Sequence, residues 1–365
     1  MSGIVKMIRG ILHVFCLFPV KKKKIVFECY LGKQYSCSPK AIAEYLEGQE
    51  KGLYEQVWIY LDKPLPGCRS KQVRRGSFGW YYHMLTAGTV IMNSGFCQRI
   101  PFRNSQIVIN TWHGGGAYKR IESNPDLTEW YNRQIDVFLS SSEKFTELEI
   151  RGAMGFRGEV LNTGLPRNDV LFDEEKRAEL SKKVRSALKL TTEAAVLYAP
   201  TWFEGKEMSD PDFGKLCEAL SKRFRKTFSV LYRKHYHESA KPALGENVID
   251  VSAYPDMQEL LPASDVLITD YSSSIWDYSF TGRPVFLYAP DIGEFRKNHG
   301  FYYDPEECGF PFAKTEDALW ENIAAFDEAA FHENMKMHHD ELGSYETGEA
   351  CCRLTEWLKE KHAYV

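Results

Sequence analysis

Short apolar runs rich in β-branched and aromatic residues alternate along nearly the whole chain with stretches whose apolar positions fall three and four residues apart. The first pattern is that of a strand buried on both faces, the second that of an amphipathic helix. Their alternation predicts an α/β architecture of parallel sheets flanked by helices. In the first half, strands are expected at "KIVFECY", "QVWIYL", "TVIMN", "QIVIN", "DVFLS" and "EVLNTG". In the second half they are expected at "AVLYAP", "FSVLYR", "NVIDVS", "DVLITD" and "PVFLYAP". The helix in "SPKAIAEYLEG" places Ser38 as its cap and Pro39 in its first turn. A charged helix, "DEEKRAELSKKVRSALKL", separates the two series and puts a boundary near residues 175–194. The expected division is an N-terminal segment 1–24, a first α/β domain 25–190, a second 191–345 and a C-terminal helix 346–365. No internal repeat or heptad run is visible, which excludes solenoid and coiled-coil readings.

The N-terminal stretch "MSGIVKMIRGILHVFCLFPV" has a pattern of its own. On a helical projection Lys6, Arg9 and His13 fall within roughly 60° of one another, with Ile4, Ile8, Ile11, Leu12, Phe15 and Phe18 on the other side. Leu17 breaks the pattern, and Pro19 ends it. With "KKKK" at 21–24 behind it, such a helix suits an anionic membrane surface, with Lys6 and Arg9 toward the lipid headgroups and Ile8 and Phe15 among the apolar contacts. The same pattern also suits a helix packed on its own domain. The segment is short and charged for a spanning helix, and no small-residue cleavage site follows it. A second basic cluster, Arg69, Lys71, Arg74 and Arg75, precedes "FGWYYHML".

Composition narrows the class. With 365 residues and a net charge of −4, the chain has room for two cores and no global basic field of the kind nucleic-acid binding uses. Nine cysteines without CxxC or zinc spacing suit a reducing cytosol. There is no acidic pair at metal spacing and no P-loop, so nothing in the sequence calls for a metal or a cofactor.

In an open parallel sheet ligands bind beyond the carboxyl ends of the strands. Here those ends are polar. "QIVIN" runs into Thr111-Trp112-His113 and the Gly114-Gly115-Gly116 turn, "VLYA" into Pro200-Thr201, "SVLY" into Arg233-Lys234-His235, and "VLIT" into Asp270, Tyr271 and three serines. Ser272, Ser273 and Ser274 lie where a helix begins. One or two would serve as a cap; three at a ligand edge also suit phosphate, next to backbone N–H groups and a positive helix end. Arg233, Lys234 and His235 add the cations a diphosphate needs. His113 stands before glycines, where a ligand can come close to the backbone, and can act as a general base.

Taken together, "TWHGGG", "GLPRND", "YAPTW", "RKH" and "SDVLITDYSSSIWDYSFTGRPVFLY" resemble the CDP-glycerol glycerophosphotransferase family of teichoic acid, cell-wall and capsule synthesis. The resemblance runs from "FECYLGKQYSCSPKA" to about "GFYYD". It implies a GT-B fold: two Rossmann-like domains facing across a central cleft, the first for the acceptor and the second for the CDP donor. It also implies attack of an acceptor hydroxyl on the β-phosphate of CDP-glycerol, giving a phosphodiester and CMP.

By that resemblance His113 is the base and His235 a catalytic residue near the diphosphate. Arg233 neutralises the leaving CMP, Ser272 and Ser273 with Ser274 hold phosphate oxygens, and Thr201 and Asp270 line the donor side. Gly114, Gly115 and Arg167 of "GLPRND" fall on the acceptor side. The implied acceptor is a polyprenyl-diphosphate-linked saccharide or polymer at the inner face of the cell membrane, where the enzyme is peripheral. The family motif usually has His-Gly-Thr or His-Gly-Ser followed by Pro, whereas His113 is followed only by glycines; His235 precedes Tyr236 where Pro is common. Ribitol or another polyol phosphate therefore stays open, as do a nucleotide-sugar glycosyltransferase on the same fold and a non-enzymatic membrane scaffold. The chain holds little beyond two catalytic domains, which favours a primer-type enzyme over a polymerase.

Overall fold

The computed structural model describes residues 7, 10–95, 100–201, 210–233, 245 and 247–364, the side chains of residues 16, 363 and 364 aside. The chain divides into two compact units. One comprises the chain up to His113, Ser123–Asp169 and the chain from Tyr345 onward; the other comprises Gly114–Glu122 and Val170–Ser344.

The first unit is built on seven parallel strands: β1 (Lys21–Glu28), β2 (Glu55–Tyr60), β3 (Lys71–Arg74), β4 (Ala87–Met92), β5 (Ile107–Asn110), β6 (Val137–Leu139) and β7 (Glu159–Leu161). Their spatial order is β3-β2-β1-β4-β5-β6-β7. The order reverses between β1 and β4, so the crevice at their carboxyl ends is the topological switch point where ligands bind in doubly wound sheets. The second unit repeats the plan with β8 (Ala194–Tyr198), β9 (Phe228–Tyr232), β10 (Val248–Asp250), β11 (Val266–Thr269), β12 (Val285–Tyr288) and β13 (Phe312–Ala313), in the order β10-β9-β8-β11-β12-β13. Its switch point lies between β8 and β11. Every strand pairing in both sheets is parallel.

Three boundaries differ from the sequence reading, each for a packing reason. The charged helix Glu174–Ala187 carries Val184 into the second unit's core beside Leu171, so that unit begins at Val170 rather than near 190. The last helix, Ala350–Tyr364, presents Cys351, Leu354 and Leu358 at helical spacing and buries them with Ile25, Phe27, Ile42 and Trp58 of the first unit. Asp169 caps that helix, its two carboxylate oxygens accepting the N–H groups of Ala350 (2.9 Å) and Cys351 (2.8 Å). The helix predicted to be capped by Ser38 spans Cys37–Gln49, so Ser36 holds the cap position and Ser38 is buried inside the first turn.

The N-terminal segment is helical over residues 10–12 and tightens to a 3₁₀ turn at His13–Leu17. Lys6, Ile8 and Arg9 lie outside the described residues. Phe15, read as a membrane contact, is only 4% exposed and packs 5.1 Å from the Phe78 ring, with Leu12 also buried. The apolar surface that does face outward is Met7, Ile11, Val14, Leu17 and Phe18, together with Phe78 at 74% exposure. Lys71 and Arg74 of the second basic cluster lie on edge strand β3. In "KKKK" the first three lysines are exposed, while Lys24 is buried, bonded to Thr86 Oγ1 and 5.0 Å over the Tyr82 ring. Burial lowers its pKa to about 8. Among the described residues no helix is long and apolar enough to cross a membrane.

Candidate active site

At the switch point of the first unit, the ends of β1, β4 and β5 bring together Tyr30, Asn93 and His113. The Nδ1 of His113 lies 2.7 Å from the main-chain oxygen of Asn93. A carbonyl only accepts, so Nδ1 carries the proton and Nε2 of the neutral ring carries the lone pair, as a general base requires. The imidazole sits between two aromatic rings: Tyr30 meets it edge-on at 5.7 Å and Trp112 lies tilted at 4.5 Å.

The backbone here is strained. Among the described residues seven non-glycines have positive φ, and five of them, Tyr30, Leu31, Cys37, Trp112 and Ala117, belong to the segments after β1 and β5. Such conformations cost about 1–3 kcal/mol each and persist only where neighbours hold them, most often at functional sites. Two asparagines hold two of them, Tyr30 and Trp112. Asn93 Oδ1 accepts the N–H of Tyr30 at 2.8 Å, and Asn110 Oδ1 accepts the N–H of Trp112 at 2.8 Å.

The same edge carries Glu28, which is buried and paired with Arg75 (3.3 Å) and with the indole N–H of Trp80 (3.3 Å). Burial pushes its carboxyl up, and Arg75 pulls it back. Arg167 is also buried; its Nη1 lies 3.7 Å from Cys37 Sγ, and its charge acts on Tyr30. The motif around Arg167 holds the chain in place, with Glu346 accepting from the Leu165 N–H and from the Asn168 amide, both at 3.0 Å. Gly164 sits at φ +79°, where a Cβ would stand 2.8 Å from the Glu346 carboxylate.

In the second unit the switch point is a clamp. Asp270, at the end of β11 and 1% exposed, accepts the N–H of Thr201 at 2.6 Å and its hydroxyl at 2.7 Å, tying together the ends of β8 and β11. Arg233 follows β9, with its Nη1 donating to the carbonyls of Val251 (3.2 Å) and Tyr254 (2.8 Å). His235 and Lys234 lie outside the described residues.

The three serines are not equivalent. Ser272 Oγ accepts the Ser274 N–H at 3.3 Å, Ser273 precedes the short helix Ser274–Ser279, and Ser274 is buried with its hydroxyl 3.5 Å from that of Thr269. Ser272 and Ser273 stay half-exposed. Tyr271, between Asp270 and the serines, turns into the protein, stacked 4.0 Å from Phe295 and donating to Asp291 at 2.7 Å.

The sequence reading named His113, Thr201 and Asp270, which the structure places at strand ends, and did not name Asn93, Asn110 or Tyr30. A signal was present: "TVIMN" and "QIVIN" are neighbouring strands that both end in asparagine.

Two doubly wound units, each with polar side chains gathered at its switch point, are the plan of the GT-B enzymes. The sequence profile of the CDP-glycerol:poly(glycerophosphate) glycerophosphotransferase family matches residues 11–359, and the chain belongs to that family. It is 31% identical to the teichoic acid poly(glycerol phosphate) polymerase of Bacillus spizizenii strain W23, covering 98% of this chain and 97% of that one. It is 32% identical to the teichoic acid poly(glycerol phosphate) polymerase of Bacillus subtilis strain 168, covering 88% of this chain but 46% of that one. The solved structure of the wall teichoic acid polymerase TagF superposes with a TM-score of 0.84 at 28% identity, covering 99% of this chain and 95% of that one. Two proteins called polymerases thus differ about twofold in their length relative to this chain, so length does not separate a single addition from repeated addition.

Proposed function

We propose that this protein transfers glycerol phosphate from CDP-glycerol to a hydroxyl of a membrane-linked saccharide or polymer in teichoic acid synthesis. The acceptor oxygen attacks the β-phosphorus, the bond from that phosphorus to the bridging oxygen breaks, and CMP leaves. The hydroxyl proton passes to Nε2 of His113. The observation that carries the reading is the His113 imidazole, held by its Nδ1 at a switch point with Nε2 as its basic atom.

On this reading the second unit binds the donor. Arg233 and His235 offset charge on the diphosphate, and the half-exposed Ser272 and Ser273 bond its oxygens. Thr201 and Asp270 act together: the carboxylate fixes the β8 end beside which the donor lies. Ser274, turned inward, supports that edge instead of contacting the donor. Gly114 and Gly115 give the acceptor room beside His113, and Arg167 acts from beneath, through Tyr30 and Cys37. Peripheral binding at the inner face of the cell membrane is supported by the outward stripe Met7, Ile11, Val14 and Phe18, spaced as one helical face, and by the exposed Lys21, Lys22 and Lys23.

The test is CMP release from CDP-glycerol in the presence of a lipid-linked primer. The native protein is expected to release CMP and His113→Ala to lose the activity by about 100-fold or more. Full activity in His113→Ala refutes the assignment. Running CDP-ribitol in parallel decides the polyol, and the mass of the product reports how many units are added.

A further inference from the structure

The mechanism uses His113 but does not explain how a side chain on a strained turn keeps one orientation and one tautomer. The two asparagines at the ends of β4 and β5 answer both points. They lie on adjacent parallel strands, with Asn110 in register with Met92, and both are fully buried. Each uses its amide oxygen in the same way, taking the main-chain N–H of an aromatic residue whose φ is positive, 45° at Tyr30 and 52° at Trp112. Those two aromatic residues are the ones that flank the imidazole.

We infer that Asn93 and Asn110 are positioning residues that together form the seat of His113 and set its tautomer. Asn93 acts twice: its side chain fixes Tyr30, and its main-chain oxygen accepts from Nδ1 of His113. Its amide nitrogen donates to Cys29 Sγ at 3.4 Å, which fixes which way round the amide stands. Asn110 acts once, on Trp112, and its amide nitrogen finds no protein partner although it is buried. A group needed only for packing has no use for that nitrogen, whose burial without a partner is costly. What the position requires is an acceptor of this reach, because without it the Trp112 N–H loses its partner and the turn that carries His113 loses its hold. The consequence is chemical. With Nδ1 committed to a carbonyl, the lone pair stays on Nε2; with the seat loosened, the neutral ring samples the opposite tautomer, which cannot take a proton at Nε2.

This inference rests on His113 being the base of the transfer reaction, and it is tested by a readout that does not need activity. In ¹⁵N-histidine-labelled protein, with the His113 signals assigned by their loss in His113→Gln, spectra of the neutral ring are expected to show Nδ1 protonated and Nε2 without a proton. In Asn110→Ala and Asn93→Ala the signals should move toward the opposite tautomer. The kcat for CMP release with acceptor should fall by about 100-fold while KM for CDP-glycerol changes by less than about threefold. Asn110→Asp keeps an acceptor oxygen for the Trp112 N–H and puts a second oxygen in place of the unpartnered nitrogen; burial favours the neutral carboxyl there, so the variant should retain the native tautomer. If Asn93→Ala fails to fold, the Asn110 pair and the unmodified protein decide the matter. A proton on Nε2 in the native protein, or folded alanine variants with native spectra and native kcat, overturns the seat. Full CMP release by His113→Ala overturns the base assignment instead, whatever the spectra show.

Discussion

The segment that follows His113 in sequence is anchored in the second unit by a hydrogen bond that can be titrated. The Tyr118 hydroxyl lies 2.8 Å from Nε2 of His338, and the two rings stack at 5.6 Å with Phe310 edge-on at 5.4 Å. Burial lowers the His338 pKa from 6.5 to about 3, with a smaller contribution from neighbouring His339, itself lowered to about 4 by burial. Nε2 of the neutral ring can accept from the tyrosine; the protonated ring cannot. A base whose folded pKa lies below its unfolded one binds fewer protons folded than unfolded between the two values. Stability is therefore flat above about pH 6.5 and falls as pH drops from there toward 3.

For His338 alone the loss is about 2 kcal/mol at pH 5 and about 3 kcal/mol at pH 4. The pH 5 figure is set almost entirely by the unfolded value. His338→Gln removes the titration while offering an acceptor near the place of Nε2. In urea unfolding at pH 7.5 and at pH 5.0, the native protein should lose about 2 kcal/mol more than the variant between the two conditions, with the urea dependence unchanged. An equal loss in both proteins would refute the argument, because His338 would then titrate alike folded and unfolded.

Two further outcomes follow from the geometry. In Asp270→Asn an amide N–H₂ faces either the N–H or the hydroxyl of Thr201. We expect about 2–4 kcal/mol less stability and a raised KM for CDP-glycerol, measured by urea unfolding and CMP release; no change in either removes the clamp from the donor side. Replacing exposed Ile11 and Val14 with glutamate should leave unfolding unchanged and lower partitioning onto phosphatidylglycerol vesicles by at least about tenfold; undiminished sedimentation with vesicles would exclude this face as the contact.

The alternation of strands and helices was legible because both sheets are parallel and their inner strands are buried on both faces, so those strands read as continuous apolar runs, whereas the edge strand β3, KQVR, did not. What the runs could not show was which core a helix joins. Glu174–Ala187 has one strongly buried position, Val184, among charged neighbours, and nothing local says that Val184 belongs with Leu171 and the second sheet. The last helix is a longer-range case: Cys351, Leu354 and Leu358 announce a buried face, but their partners Ile25 and Phe27 lie more than three hundred residues earlier. The N-terminal pattern did not show which of its apolar residues face out. Its narrow apolar sector is divided between Leu12 and Phe15, which pack inward, and Ile11, Val14 and Phe18, which do not.

The positions of His113, Thr201 and Asp270 at strand ends were legible because each follows an apolar run. The site was not legible where the same residue types do structural work. Three serines looked alike, yet Ser274 turns inward to Thr269 while Ser272 accepts its main-chain N–H, a distinction set by the helix geometry at its first turn. The buried asparagines show the converse. Asn93 and Asn110 ended apolar strands and read as strand residues, because what sets them apart is the positive φ of two aromatic residues they support, a backbone property no side-chain pattern records. A histidine at a strand end is then only half the signal for a base. The other half is an adjacent strand that ends in a residue able to hold the turn and offer a main-chain oxygen to the ring, and that pairing can be sought in any doubly wound sequence by reading neighbouring strand ends together.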